Sequence, residues 1–161
     1  MGAGIFRICK RFEIESGHRL YKHPERCRFP HGHTRVVEVV LRAATLDGND
    51  MVCDYKVLKE LARRELDRFD HAMVLGAADP LAATFQAVSE RVVVLEDGDA
   101  TTEVMARYLF RRLEAALRRG GEVISSEGAR YVVPRGVRVE RVRVWETSTS
   151  WAEYGEEPDG L

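Results

Sequence analysis

A chain of 161 residues is long enough to bury a core and short enough for one domain, and 45% hydrophobic with 32% charged residues is an ordinary soluble globular composition that excludes a disordered chain. A net charge of −1 gives a nucleic-acid partner no electrostatic support, and no apolar run approaches the ~20 residues of a membrane span. The three cysteines, an odd number, argue against a disulfide framework and for a reducing, cytoplasmic setting; the opening MGAGIFRICKRF, with no apolar core ahead of a small-residue cleavage site, carries the same expectation.

In chain order, residues 5–15 (IFRICKRFEIE) are rich in β-formers, with Phe6, Ile8, Phe12 and Ile14 on one parity interrupted by Lys10, and predict a strand. Residues 34–46 (TRVVEVVLRAATL) predict a second strand, nearly all apolar and so covered on both faces; DGND at 47–50 is a turn. Asp54 caps a predicted helix to about Phe69, with Leu58, Leu61, Ala62, Leu66 and Phe69 on one stripe. A second helix starts near ATTE at 100–103, buries Met105, Tyr108, Leu109, Leu113, Ala116 and Leu117, and stops at Gly120-Gly121. Residues 137–146 (VRVERVRVWE) predict a third strand whose apolar parity changes between Val139 and Val142, the mark of a β-bulge or a face switch. A short fourth strand near 150–155 pairs with it. The order is β-β-α-α-β-β: an α+β chain, one domain over residues 1–161, with an antiparallel four-stranded sheet and two helices packed on one face. Segments 76–98 and 121–136 read least clearly, with RVVVLE at 91–96 and RYVV at 130–133 as candidate extra strands.

The chemistry lies in the histidines. His31 and His33 point to the same side of an extended segment, with Gly32 between them. Alone, that H-x-H fits two hydrogen-bonded surface histidines as well as it fits a metal pincer. His18 changes the balance. It ends the first strand where His31 and His33 open the second, so antiparallel pairing brings three imidazoles together, and three imidazoles with one open position describe a catalytic zinc site. A fourth ligand from Cys27 closes the site and makes it structural. The flanking Arg26 and Arg28 favour the other use of that cysteine, as a free thiolate. Cys9 and Cys53 sit in apolar surroundings and read as small buried hydrophobes. Asp70-His71 is either a helix-end surface pair or an acid that orients and charges an imidazole for proton transfer.

His18, C-x3-H-G-H at 27–33, the D-Y-x-x-L-K start at Asp54, Asp70-His71, T-T-E at 101–103 and W-E-T at 145–147 come in an order and spacing that resemble the 6-pyruvoyl-tetrahydropterin synthase and 6-carboxy-tetrahydropterin synthase family, over about residues 5–155. The resemblance implies the tunnelling fold and zinc-dependent conversion of 7,8-dihydroneopterin triphosphate. It makes His18, His31 and His33 the zinc ligands and Cys27 a base that stands near the metal without ligating it. Asp70 and His71 become the pair that assists proton transfer. Glu146 becomes the carboxylate that anchors the pterin ring, and Thr101, Thr102 and Glu103 line the pocket; without the resemblance, Glu146 reads as a strand-end charge and the threonines as helix caps. It further implies three subunits closing a twelve-strand barrel, two such rings stacked as a homohexamer, and a site between subunits.

The short spacing from Cys27 to His31 resembles the bacterial 6-carboxy enzymes of queuosine (7-deazaguanine) biosynthesis, which implies loss of acetaldehyde and triphosphate. The alternative is the 6-pyruvoyl synthase, which eliminates triphosphate only. Ala100 stands where the family usually has Pro, Val104 where Asn is common, and the stretch from His71 to Thr101 is longer than usual. These departures bear on the pocket's outer wall and on substrate choice. Two readings from other classes are a structural zinc protein with a closed Cys-His-His-His site, and a pterin-binding homologue with diverged chemistry.

Overall fold

The computed structural model describes residues 4–156. Strands β1 (Phe6–His18) and β2 (His31–Ala43) form a long hairpin, followed by helix α1 (Tyr55–Phe69), β3 (Ala72–Gly76), α2 (Ala82–Val88), β4 (Val92–Leu95), α3 (Thr102–Arg119), β5 (Glu122–Ile124), β6 (Arg130–Val132), β7 (Arg138–Trp145) and β8 (Trp151–Tyr154). One six-stranded sheet runs in the order β4-β3-β1-β2-β7-β8, and β5 and β6 make a separate two-stranded ribbon. The expected four-stranded sheet is present as its β1-β2-β7-β8 part, antiparallel throughout. The correction is that β3 and β4 add to the free edge of β1 in parallel, so the sheet is six-stranded and mixed, and a third helix lies between them. The candidate strands at 91–96 and 130–133 are β4 and β6.

The local chemistry explains the element ends. The Asp54 carboxylate accepts from Lys56 N–H at 2.7 Å and starts α1. The Thr101 hydroxyl accepts from Val104 N–H at 3.3 Å and starts α3, which ends where Gly120 takes φ 67°. On β7 the register steps from Val40↔Arg141 to Leu41↔Val139, which leaves Glu140 unpaired: the bulge that the parity change predicts.

α1 and α3 cover one face of the sheet. Leu58, Leu61, Leu66 and Phe69 from α1 and Met105, Leu109, Phe110 and Leu113 from α3 pack with Ile14, Val37, Val39, Leu41, Val142 and Val144 into one core. The opposite face is charged. Arg11, Glu38, Arg143 and Glu153 stand in one row across β1, β2, β7 and β8, paired Arg11–Glu38 at 2.9 Å and Arg143–Glu153 at 2.8 Å. Cross-strand opposite charges of this kind contribute roughly 0.2–1 kcal/mol each. They also cover the middle of β2 from that side, where Glu38 and Val40 are buried, so the strand is covered on both faces there. No helix among the described residues is long and apolar enough to cross a membrane.

Candidate active site

The hairpin register carries the site. β1 and β2 run past the expected ends, so that His18 is the direct cross-strand partner of His31, and His33 follows two residues on along the same face. The His18 ring is fully buried and its Nδ1 lies 2.7 Å from the Ala100 carbonyl. A carbonyl only accepts, so Nδ1 carries the proton and Nε2 is left with a lone pair. His31 is set the same way, its Nδ1 donating to the Phe29 carbonyl at 2.8 Å. The two Nε2 atoms then face each other at 3.1 Å, lone pair to lone pair, an arrangement that calls for a cation between them. His33 Nε2 is buried without a hydrogen-bond partner. One nitrogen from each ring lies within 4.8 Å of the others, and among the described residues this is the group of His, Cys, Asp and Glu side chains arranged to hold a metal ion. The donor set of three neutral imidazoles, two of them oriented by backbone carbonyls, suits zinc.

Electrostatics favours the neutral, ligating form. Burial pushes the His18 imidazole down to about 4, and the neighbouring Arg35 works in the same direction. Burial, then Arg35, also lowers His33. The sign follows for the metal-free protein. Between pH ~6.5 and about 4 the unfolded chain binds a proton at His18 that the folded chain refuses. Folding stability of chelator-treated protein is therefore expected to be full above pH ~6.5 and to fall as the pH drops towards 4. Urea denaturation across that window reads the slope; a His18→Gln variant should flatten it, and an equal slope in both proteins contradicts the assignment.

The ring of surrounding groups is tied to this centre. Glu146, just past β7, places Oε1 3.8 Å from His33 Nε2. Burial works to raise its carboxyl, but the Thr102 hydroxyl, which donates a short hydrogen bond to Oε2, and the Arg35 guanidinium outweigh it and hold the group below the usual carboxylate range. Glu146, Thr101, Thr102 and Glu103 line one cavity of about 300 Å³, together with Leu20 and Trp151. His71 and His33 line a second, of about 360 Å³. Asp70 and His71 are joined, His71 Nδ1 lying 3.0 Å from Asp70 Oδ2, while Asp70 Oδ1 accepts from the Glu15 N–H at 2.9 Å. That backbone bond, with the His71 ring, holds Asp70 below its ordinary value. His71 is held with φ 55°, outside the usual range for a side-chain-bearing residue.

Cys27 stands apart from these groups. It lies half-buried in a short 3-10 turn at Arg26–Arg28, on the loop between β1 and β2, with its carbonyl accepting from Leu20 N–H at 2.8 Å. Its thiol is not one of the atoms that converge on the metal position, and it lines neither cavity. Arg19 pairs with the buried Asp79 at 3.0 Å, on the turn after β3. The residue that sequence reasoning missed is Arg35, fully buried among His18, Ser16, Thr102 and Glu146. Its position was open to inference from strand parity, which puts residues 31, 33 and 35 on one face.

Strand order, helix placement and the imidazole cluster together define a tunnelling-fold protein with a site suited to a metal ion. The same fold is seen in an uncharacterized protein of Wolinella succinogenes (TM-score 0.74, 24% identity, 95% of this chain and 99% of that one) and in the 6-pyruvoyl tetrahydropterin synthase of Plasmodium vivax (TM-score 0.70, 17% identity, 96% and 99%). The chain belongs to the 6-pyruvoyl tetrahydropterin synthase family, whose pattern matches residues 7–157. Among curated relatives, the 6-carboxy-5,6,7,8-tetrahydropterin synthase of Aquifex aeolicus is 28% identical over 171 aligned positions, covering 94% of this chain and 99% of the relative.

Proposed function

We propose that this protein is a zinc enzyme that converts 7,8-dihydroneopterin triphosphate to 6-carboxy-5,6,7,8-tetrahydropterin with loss of acetaldehyde and triphosphate, in the cytoplasm, on the path to 7-deazaguanines such as queuosine. The observation that carries the reading is the convergence of His18, His31 and His33 beside the cavity that Glu146 lines. The three histidines would hold the zinc, which when bound supplies Lewis-acid polarisation of side-chain hydroxyls and acidifies the adjacent C–H. Glu146 accepts from the donor edge of the pterin ring, and Thr101, Thr102 and Glu103 form the wall beside it. Cys27 takes the acidified proton as its thiolate. Asp70 orients His71 through the Nδ1 contact, so that the ring's other nitrogen takes or returns a proton.

The sheet's edge strands, β4 and β8, support the assembly. Open edges leave backbone donors and acceptors unpaired, and edge-to-edge pairing of copies under cyclic symmetry satisfies them. We read the protein as a homohexamer of two stacked trimers, with Cys27 facing a pocket that a neighbouring subunit helps to build.

Mass spectrometry of the products after incubation with 7,8-dihydroneopterin triphosphate tests the reading. A 6-carboxy product together with acetaldehyde is expected. A 6-pyruvoyl product assigns the protein to the other branch, and unconverted triphosphate with zinc bound overturns the enzyme reading.

A further inference from the structure

Arg35 is wholly buried, and none of the roles above uses it. From β2 its guanidinium reaches β1, the start of α3 and the residue that follows β7. Nε donates to Ser16 Oγ on β1 at 3.1 Å, and Nη1 to Thr102 Oγ1 at the start of α3 at 3.1 Å and to Glu146 Oε2 at 3.4 Å. A guanidinium has no acceptor, so the Thr102 hydroxyl accepts from Arg35 and turns its own hydrogen to Glu146 Oε2. Arg35 and Thr102 therefore grip the same oxygen of the carboxylate. Oε1 receives no hydrogen bond from the described residues and stands 3.8 Å from His33 Nε2, while Glu146 lines the cavity.

We propose that Arg35 is a positioning residue: it pins Glu146 by one oxygen so that the other meets the ring of a bound pterin at a fixed offset from the histidine triad. The inference rests on the pterin-synthase reading above. Glu146 sits at a strand end with its side chain 30% exposed, where an unheld glutamate samples several rotamers. Held from behind, it acts as a rigid acceptor, and the distance from ring anchor to metal ligands is fixed through one side chain. A displacement of about 1 Å at such an anchor costs up to about 10²-fold in rate. Lysine cannot replace the arginine, because one ammonium cannot reach Ser16, Thr102 and Glu146 together.

The test measures zinc content, the Kd for 7,8-dihydroneopterin by fluorescence titration, and kcat and KM with the triphosphate, in wild type, Arg35→Lys and Arg35→Gln. Both variants are expected to keep wild-type zinc while the Kd rises about tenfold, KM follows it and kcat falls by up to about 10²-fold. Thr102→Val removes the relay hydroxyl without touching the buried charge and should weaken the Kd severalfold; it carries the test if the Arg35 variants fail to fold. Wild-type Kd in Thr102→Val, or in a folded Arg35→Lys, overturns the inference, as does loss of zinc in parallel with loss of binding. A wild-type protein with no affinity for dihydroneopterin overturns instead the reading on which the inference rests.

Discussion

His31→Ala is expected to lose bound metal and turnover together while keeping its fold. The side chain supplies one of the three converging nitrogens, and its partner His18 Nε2 lies only 3.1 Å away, so its removal both deletes a ligand and opens the site to water. Disturbing a group that merely supports a ligand costs ~10–100-fold in metal affinity, and deleting the ligand itself should exceed that. The fold should survive because His31 enters β2 at its first position, partly exposed, where the ladder is made by backbone groups. Zinc content, circular dichroism and activity measured on one preparation decide it. Full activity with no metal bound would sink the mechanism.

Cys27→Ala should give the opposite pattern, with zinc and fold retained and turnover reduced by about 10²–10⁴-fold, the loss expected when a positioned acid or base is removed. The thiol lies outside the group of converging nitrogens, on a turn whose hydrogen bonds are made by the backbone. His23, on the same loop, is the control. Its Nδ1 accepts from the Glu25 N–H at 3.0 Å, a local turn contact, and His23→Ala should remain close to wild type. Metal lost from Cys27→Ala would mean that the sulfur is a fourth ligand and that the site is closed.

What could be read in the residues beforehand follows from range. α1 and α3 announce themselves through capping residues and long apolar stripes, β1 and β7 through alternation and β2 through its apolar run, because each signal is contained within the element. The bulge at Glu140 was legible for the same reason. β3 was not: AMVLG is a five-residue apolar run that joins β1 only through a parallel pairing of Ser16–His18 with Ala72–Val74, which no local pattern encodes. α2, seven residues with no side-chain cap, was equally silent. In the site, the approach of His18 to His31 followed from hairpin logic. The burial of Arg35 did not, because its carboxylate partner comes from Glu146, at the far end of the chain, and a lone arginine in an apolar strand otherwise reads as a surface charge.

The placement of β7 has a consequence for how the molecule is made. β2 lies between β1 and β7, but β1 precedes it within one hairpin while β7 begins at Arg138, about a hundred residues downstream. A hairpin closes in roughly 1–10 μs, whereas translation at roughly 5–20 residues per second needs on the order of 5–20 s to deliver β7. For that interval β2 has no partner on the edge that β7 later takes. The three histidines that could hold a metal ion are thus synthesised well before Glu146, which lines the cavity beside them. The edge of Val36–Leu41 is then the segment left open to wrong pairing until β7 arrives.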